Sequence, residues 1–395
     1  MPRKSRAQCA EDGRVVQYST IKARLYPTLG QAELFEKTFG CCRYIWNQML
    51  ADQQRFYLET DAHFIPTPAK YKREAPFLKE VDNQALIQEH NKLSQAFRVF
   101  FKNPKTFGPP KFKKKKTDRD SFTACSHEFE SGPTIYITKN GIRMTKAGIV
   151  KAVFPRRPRN GWKLKRVTVE KTKSGKYYAY ILYEYSVKEP ETAVPTAETT
   201  LGLKYSMSHF YTADDGSAAN APHWMKQSLE KLVKVQRKLS RMQPGSKNYQ
   251  EMVRKYRDIH EHIANQRRDF IHKESSRIAN GWNAVCVRDD SMRDMSAKRT
   301  LSGNVLDSGF GIFRECLRYK LARQGKPLIL VERNALTTRT CSACGRIRTS
   351  SPHRKETWTC SVCGTRHDRE VNAAKNIKTQ GLAQYFETRK MYKSA

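Results

Sequence analysis

The first hundred residues change from one hydrophobic periodicity to another. Apolar and polar residues alternate along residues 15–27, VVQYSTIKARLYP, which predicts a β-strand. From Gly30 the apolar residues recur at helical spacing, which predicts a long amphipathic helix. The run from Asn83 to Phe100 has the same spacing and predicts a second helix. The aromatic residues in both runs are more typical of a core than of a base-stacking surface.

Strand patterns return after residue 133. The segment PTIYITKNGIRM turns at Asn140-Gly141, and WKLKRVTVEKTKSGKYYAYILYEYSV turns at Ser174-Gly175, so each predicts a β-hairpin. Together with the first strand they predict a small β-barrel. Tyrosines and basic residues interleave along the second hairpin, and such a face can stack bases and hold phosphates. Half of these tyrosines are expected to fill the barrel instead.

The second half of the chain alternates strands with helices. Residues 187–199, VKEPETAVPTAET, are polar and contain two prolines, and they predict a linker. The alternation beyond the linker predicts an α/β fold, so the whole chain is expected to be an α/β multidomain protein. The predicted elements are strands 201–204 and 209–213, helices 223–242 and 249–280, strand 284–288, a helix in FGIFRECLRYKLARQG and a strand in PLILVE.

Composition narrows the class of partner. The chain has 74 Lys and Arg against 38 Asp and Glu, a net charge of +36. Such a balance is typical of proteins that neutralise nucleic-acid phosphates. No stretch approaches about 18 consecutive apolar residues, and the sequence MPRKSRAQCAEDGR lacks an apolar signal core, so no membrane partner is predicted. Without an export signal, free thiols indicate a reduced cytoplasmic setting.

Basic residues concentrate in a few places. Residues 102–119, KNPKTFGPPKFKKKKTDR, form the densest run, and its glycine and prolines prevent a continuous helix. A charge run of this kind is commonly a solvated face or a linker. If it binds nucleic acid, its lysines supply affinity rather than sequence discrimination. The candidate nucleic-acid-binding residues are Lys111, Lys113, Lys114, Lys115, Lys116, Lys173, Lys176, Arg267 and Arg268.

Four cysteines near the carboxyl end have metal-ligand spacing. Cys341 and Cys344 form one C-x-x-C pair, Cys360 and Cys363 form another, and 15 residues separate the pairs. This spacing allows four thiolates to meet on one tetrahedral Zn²⁺. Ordinary buried cysteines or disulfides are the alternative. We therefore predict a structural zinc ion that stiffens a basic loop.

Three segments of the second half carry recognisable motifs. HDREVNAAKNI follows the cysteine pairs directly, the strand at 201 reads LGLKYSMSHFYTADDG, and the strand at 284 reads AVCVRDDSMRDM. With these motifs the chain resembles the transposon-encoded TnpB (OrfB) proteins and their relatives, the compact type V CRISPR effectors. The resemblance spans nearly the whole chain. It implies an RNA-guided DNA nuclease fold, in which an RNase H-like RuvC domain holds two Mg²⁺ ions by three carboxylates.

The resemblance also implies a domain order. A wedge β-barrel comes in two parts, and a helical recognition lobe is inserted between them. The RuvC-like domain follows, with the Cys₄ zinc ribbon inserted near its end. The implied ranges are 1–28 and 106–190 for the barrel, 29–105 for the lobe, 191–338 and 366–395 for the RuvC-like domain, and 339–365 for the ribbon.

The three carboxylate positions of that RuvC site are occupied differently here. Lys204 and Arg288 stand where the family has Asp and Glu, and Glu370 stands where it has Asp. Like charges about 4 Å apart repel by about 4 kcal/mol at an effective dielectric near 20, so this pocket opposes divalent cations. Four nearby acids are candidates to replace the lost metal ligands. Asp214 and Asp215 are better explained by a hairpin turn, and Asp289 is expected on the opposite face of its strand. Asp368 lies two positions before Glu370 and is within reach of the site, but one displaced Asp and one Glu do not form a two-metal site. No catalytic Mg²⁺ is expected.

These substitutions make the chain similar to the group of TnpB-like nuclease-dead repressors. That resemblance implies a transposon-type, omega-like guide RNA, a target double-stranded DNA beside a short adjacent motif, and repression by blocking RNA polymerase at the bacterial nucleoid. Two alternatives stay open: a residually active RNA-guided endonuclease that uses shifted carboxylates, and a transposon-derived RNA-binding relic without a DNA target. Lys204 and Arg288 either contact phosphate where the metal ions would lie, or they replace the metal ligands without gaining a new function.

Overall fold

The computed structural model describes residues 13–115, 119–130, 132–206, 209–219, 224–291, 309–349 and 357–393. The chain separates into two compact units, Met1–Lys188 and Glu189–Ala395. The division falls inside the segment that the sequence predicts as a linker. In the part of the chain that the structure describes, no helix is both long enough and apolar enough to cross a membrane.

A seven-stranded sheet forms the β part of the first unit. Its order is β2-β8-β9-β1-β7-β6-β5, and every neighbouring pair is antiparallel. Both predicted hairpins are confirmed, as β5–β6 and β8–β9. The barrel stays a prediction, since β2 and β5 stand at the two ends of the hydrogen-bonded order. The strands are β1 (Arg14–Tyr26), β2 (Asp120–Cys125), β5 (Tyr136–Ile137), β6 (Gly141–Met144), β7 (Gly148–Val153), β8 (Lys163–Lys171) and β9 (Tyr177–Lys188), with a separate pair β3 (Glu128–Phe129) and β4 (Gly132–Pro133).

Two long helices complete the first unit. Helix α1 spans Leu29–Thr60 and helix α2 spans Asn83–Lys102, which confirms both predicted helices. Thr28 and Gln31 form a capping box at the start of α1, and the Asp82 side chain caps α2. Short 3₁₀ turns at Pro68–Lys72 and Pro76–Lys79 connect the helices. The helices and the sheet share one core, which includes Phe35, Ile45, Met49, Leu86, Ile21, Val167 and Ile181.

A five-stranded mixed sheet forms the centre of the second unit. Its order is β12-β11-β10-β13-β14, in which β10, β13 and β14 are parallel and β11 and β12 are antiparallel additions. Strands alternate with helices along the chain, so the predicted α/β character is confirmed. The strands are β10 (Thr200–Ser206), β11 (Phe210–Ala213), β12 (Ala218–Ala219), β13 (Ala284–Arg288) and β14 (Leu328–Val331).

Helices cover both faces of this sheet. Helices α4 (Lys247–Gly281) and α5 (Phe310–Ala322) pack on the face that carries Leu203 and Val287. Helix α6 (Arg369–Lys393) packs on the other face, where a Cβ at Gly202 would collide with the carbonyl oxygen of Ala374. The glycine therefore allows α6 to lie directly against β10. Helix α3 (Trp224–Leu239) packs against α4, and both begin and end within two or three residues of their predicted bounds.

Candidate functional site

The four cysteine thiols come together in the second unit. Cys341 Sγ lies 3.7 Å from Cys363 Sγ, and Cys344 Sγ lies 3.7 Å from Cys360 Sγ. All four sulfur atoms lie within 4.8 Å of one another. Thiolates about 2.3 Å from a central ion at tetrahedral corners stand about 3.8 Å apart. The cluster can therefore hold one zinc ion, as the spacing of the cysteines predicts, and none of the four is disulfide-bonded.

The surroundings of Cys363 favour its thiolate. The hydroxyl of Thr365 lies 3.3 Å from Cys363 Sγ and lowers the pKa of that thiol to about 6. Two short strands, β15 (Thr357–Thr359) and β16 (Arg366–Asp368), form a hairpin around the second cysteine pair. Since zinc binds the deprotonated thiol, a lowered pKa assists binding near neutral pH.

His367 is a neighbour of the cluster that sequence reasoning did not single out. Its Nε2 lies 3.0 Å from Cys341 Sγ, and its buried ring packs on Trp358 with centroids 4.6 Å apart. A ring N–H at this distance can donate to a thiolate and fix its orientation. The sequence signal for it is a histidine four positions after Cys363, at the start of the HDREVNAAKNI motif.

Two asparagines tie helix α6 to the segment before the first cysteine. Asn376 Nδ2 donates to the carbonyl oxygens of Thr337 at 2.8 Å and Thr340 at 2.7 Å. Asn372 donates to Thr340 O at 2.8 Å and accepts from the backbone N–H of Ser342 at 2.9 Å. Both side chains are buried. The asparagines of the N-A-A-x-N segment therefore join the cysteine cluster to the helix that carries Glu370.

A charged site lies where strands β10 and β13 end. Leu203 pairs with Val287 in parallel register, so the next residues, Lys204 and Arg288, occupy adjacent positions on the same face. Helix α6 covers this face and begins beside Glu370. Lys204 Nζ lies 2.6 Å from Glu370 Oε2, and the two side chains are 16% and 19% exposed. Arg369 Nη2 lies 2.7 Å from the other carboxylate oxygen of Glu370, so both oxygens face cations.

Three acids near the charged site, Asp290, Asp289 and Asp368, each have a partner of their own. Asp290 Oδ1 accepts from Arg288 Nε at 2.8 Å. Asp289 pairs with Arg314 of α5, on the face opposite to α6 as predicted, at 2.8 Å. Asp368 Oδ1 accepts from the backbone N–H groups of Glu370 and Val371 and caps α6.

The predicted turn at Asp214-Asp215-Gly216 is confirmed. Asp215 Oδ1 accepts from the Ser217 N–H at 2.8 Å, and Gly216 has a φ of 87°. Asp214 points back into the sheet, where it accepts from the Gly202 N–H at 2.8 Å and pairs with Lys378 of α6 at 2.9 Å. Its carboxylate therefore joins β10 to α6.

Family models match three parts of the chain. A "Cas12f1-like, TNB domain" model matches residues 310–377, a "Probable transposase" model of the OrfB IS605 type matches residues 180–299, and a "Helix-turn-helix domain" model matches residues 18–61. A protein of Streptomyces pristinaespiralis described as "Putative RNA-guided DNA endonuclease" is 30% identical over 375 residues, which cover 92% of this chain and 89% of the relative. The chain belongs to the TnpB (OrfB) family.

Other relatives extend across the same length. The Escherichia coli K12 protein described as "Putative RNA-guided DNA endonuclease InsQ" is 28% identical over 378 residues, covering 90% of this chain and 90% of the relative. The structure titled "Cryo-EM structure of the Cas12f1-sgRNA-target DNA complex" has a TM-score of 0.57 at 11% identity and covers 93% of this chain and 99% of that one. This TnpB-family chain therefore has a Cas12-like α/β multidomain fold with a Cas12f-like zinc-ribbon domain.

The candidate nucleic-acid contacts of the TnpB-family chain fall into separate groups. Lys111, Lys114 and Lys115 are exposed, whereas Lys113 pairs with Glu89 at 2.6 Å; Lys116 lies outside the described residues. Lys173 and Lys176 flank the β8–β9 turn, with Lys173 exposed and Lys176 half-buried. Arg268 is exposed on α4, but the aliphatic carbons of Arg267 cover Gly309 at the start of α5.

Proposed function

We propose that this protein is a nuclease-dead, RNA-guided DNA-binding protein that represses transcription by occupying its target. One observation carries the proposal: the Lys204–Glu370 ion pair of 2.6 Å between the second half of β10 and the first turn of α6. The resemblance to the family implies metal-binding acids at the positions of Lys204, Arg288 and Glu370. Here the one remaining acid is neutralised by Lys204 and Arg369.

The charges of this site argue against two-metal cleavage. A two-metal nuclease clamps the attacking and leaving oxygens between two Mg²⁺ ions, and Mg²⁺ requires oxygen ligands in near-octahedral geometry. Lys204 and Arg288 offer no acceptor and add positive charge to the face where the ions would sit. Asp290 and Asp368 lie close in sequence, but their carboxylates are bound to Arg288 and to the start of α6.

Two features of the chain support nucleic-acid binding without cleavage. The cysteine cluster has the geometry of a zinc site, and the net charge of +36 suits phosphate binding. In RNA-guided systems base pairing reads the target, while the protein recognises duplex shape and a short adjacent motif. A bound and uncut R-loop at a promoter would block RNA polymerase. The partners proposed are an omega-like guide RNA and double-stranded DNA, and the setting is the bacterial nucleoid.

The test begins with the guide. The protein is expressed together with its flanking genomic DNA, and the RNA that co-purifies is sequenced. A duplex matched to that guide is then incubated with the complex in Mg²⁺ and in Mn²⁺, with binding and strand cleavage followed in the same samples. A duplex with a scrambled target is the control, and the Streptomyces relative with its own guide is the comparison for cleavage.

Tight binding that depends on the guide, without cleavage, is the expected outcome. A promoter–reporter carrying the matched site should then lose transcription only when protein and guide are both present. Cleavage of the matched duplex would overturn the nuclease-dead proposal. Co-purification of a defined RNA without any occupancy of matched DNA would instead indicate the RNA-binding relic.

A further inference from the structure

His367 lies beside the most buried sulfur of the cysteine cluster. Its Nε2 is 3.0 Å from Cys341 Sγ, and Cys341 is 1% exposed. Cys344 and Cys363, by contrast, are exposed. In the part of the chain that the structure describes, His367 is the only side chain outside the four cysteines that forms a hydrogen bond with Cys341 Sγ. The polar environment of this buried sulfur therefore depends on one imidazole.

The geometry places His367 outside the ligands of the metal. The four sulfur atoms lie within 4.8 Å of one another, so they can supply all four ligands of one zinc ion. Structural zinc sites are four-coordinate, which leaves no position for the imidazole on the metal. A zinc-bound cysteine is a thiolate and has no proton to donate. In the zinc-bound state the proton of this hydrogen bond must therefore be on Nε2 of His367.

The direction of Nε2 is set by packing. His367 of β16 pairs directly with Trp358 of β15, and the two rings have centroids 4.6 Å apart at an interplanar angle of 36°. Both residues are buried, and the Arg348 guanidinium lies 4.8 Å from the centre of the Trp358 ring. Since ordering a side chain costs conformational entropy, a ring that is already held by its neighbours can donate at little further cost.

The hydroxyl of Thr365 gives a contrasting case within the same cluster. It lies 3.3 Å from Cys363 Sγ, but Cys363 is exposed, so water can replace the hydroxyl there. Water cannot replace His367 at Cys341 in the same way, because that sulfur is buried. A buried negative charge that loses its donor is not compensated by solvent. Loss of one donor should therefore matter more at Cys341 than at Cys363.

We propose that His367 is a positioning residue of the zinc site, which donates from Nε2 to the Cys341 thiolate and thereby slows the loss of zinc. The imidazole makes no bond to the metal. It orients one ligand and offsets part of the negative charge of the four thiolates, and groups that do this are typically worth about 10–100-fold in metal affinity. The proposal concerns the cysteine cluster alone and is independent of whether the protein cleaves DNA.

Two substitutions separate the hydrogen bond from the packing of the ring. His367→Phe keeps a ring against Trp358 and removes the donor. His367→Gln restores a donor, because its amide nitrogen is as many bonds from Cβ as Nε2 is. The full chain is loaded with zinc, and transfer of the metal to an excess of a chromogenic chelator is timed. The Phe variant is expected to lose zinc at least about tenfold faster than native, and the Gln variant within about threefold of native.

Thr365→Val is the matched control, since it removes a donor from the exposed sulfur of the same cluster. It should leave the rate of zinc loss within about threefold of native. A native rate for His367→Phe would overturn the proposal. Equally fast loss from the Phe and Gln variants would also overturn it, because a donor at the position of Nε2 would then have no effect of its own.

Cobalt(II) in place of zinc reports on the ligands directly. In His367→Phe the sulfur-to-cobalt charge-transfer band should move to lower energy, because a thiolate without a donor gives up an electron more easily. The d–d bands should keep the pattern of four sulfur ligands in both proteins. A native spectrum typical of three sulfur ligands and one nitrogen would make His367 a ligand and contradict its assignment as a positioning residue.

The native protein provides a measurement that needs no folded Phe variant. The chain is labelled with ¹⁵N-histidine and loaded with zinc, and the His367 signals are assigned by their absence from the spectrum of His367→Gln. The ring nitrogen shifts should show a proton on Nε2. A neutral ring that has its proton on Nδ1 could not donate to Cys341, and this result would refute the proposal.

Discussion

Lys204 is a largely buried cation that donates to Tyr205 O at 3.3 Å and has Glu370 as its ion-pair partner. Its ammonium pairs with Glu370 at 2.6 Å, and Glu370 in turn pairs with Arg369. A charge that loses its partner in such a place costs more than the pair contributes when intact. The pair is therefore expected to behave as a unit, in which removal of both charges is better tolerated than removal of one.

A double-mutant cycle tests this unit. Glu370→Gln is expected to lower the free energy of unfolding by about 1–2 kcal/mol, less than for a fully buried pair because water reaches both side chains. Lys204→Met/Glu370→Gln should lose less than the sum of the two single changes. Calorimetric thermal midpoints of the four proteins give the result. Additive losses would show that the two residues are not coupled.

The carboxyl group of Glu274 is expected to make the stability of the protein depend on pH. Burial alone would raise the pKa of its carboxyl, but hydrogen bonds from Arg277 and Tyr211 outweigh burial and hold the pKa below its usual range. A lowered pKa gives stability that is present above the unfolded pKa, about 4.3, and lost as pH falls through the folded value. Burial and the bond to Glu274 also raise the pKa of Tyr211.

The Glu274→Gln variant should therefore be less stable than native at pH 6–7, and the difference should shrink below about pH 4. Urea midpoints at several pH values measure it. Glu315→Gln is the control, because Glu315 makes an equally short ion pair to Arg318 but is 59% exposed. A difference for Glu274→Gln that persists at pH 2.5 would contradict the assigned cause.

At the scale of elements, helix α6 connects the cysteine cluster to the charged site. Asn372 and Asn376 bind the segment 337–342, and Asp214 of the β11–β12 turn binds Lys378. Gly381 lies so close to the sheet that a Cβ there would be 2.6 Å from Cys286 Sγ. One helix therefore fixes the position of Glu370 and the backbone before Cys341 together.

Loss of Asn376 should loosen this connection. Asn376→Ala leaves the carbonyl oxygen of Thr337 without its donor and removes one of the two side-chain donors to Thr340 O, which keeps Asn372. The change is expected to cost about 1–3 kcal/mol. Amide hydrogen exchange in residues 337–342 should accelerate, and zinc should be lost to a chelator faster than from the native protein. Lys375→Ala, which changes the adjacent exposed residue, should do neither. Equal exchange in both variants would refute the role of Asn376.

Periodicity predicted the long elements, and it could not predict the shortest. Helices α1, α2 and α4 and strands β1 and β9 repeat their pattern often enough to be recognised. Strands β3, β4 and β12 have two residues each, which is too few for a period. The two 3₁₀ turns were missed for the same reason, since each spans about one turn.

In the candidate site, too, residues close in sequence were predictable and contacts between distant residues were not. Local spacing was sufficient for the cysteine cluster, because its ligands are set by two short motifs. The Lys204–Glu370 pair joins residues 166 positions apart, and only the family motifs brought them together. The Glu89–Lys113 pair had no signal at all: within a lysine-rich run, nothing in sequence distinguishes the lysine that a buried carboxylate takes.

For the whole molecule, the net charge of +36 predicts strongly salt-dependent binding. Each neutralised phosphate releases a counterion, so a protein with six to ten such contacts loses about 10³–10⁵ in affinity between 50 and 200 mM salt. We expect a loss of at least about 10³ for the complex of the full chain with its RNA, measured by fluorescence anisotropy. The RNA that co-purifies with the protein and an RNA of the same length with a scrambled sequence should show the same slope of log affinity against log salt. A loss of affinity below tenfold would mean that most of the basic side chains form ion pairs within the protein and do not contact phosphates.

Reversing the charges of the charged site should turn it into a metal site. The variant Lys204→Asp/Arg288→Glu/Glu370→Asp replaces two cations by acids and shortens the third side chain, while Asp214 and Lys378 keep α6 in place. Mg²⁺ at ten times its dissociation constant should then raise stability by about 1.4 kcal/mol, seen as a higher thermal midpoint. The native midpoint should not respond to Mg²⁺, and neither should Lys204→Ala/Arg288→Ala/Glu370→Ala, which removes the charges without building ligands. If the native protein responds as the acidic variant does, Lys204 and Arg288 do not exclude the metal, and the proposal of a nuclease-dead protein loses its physical basis.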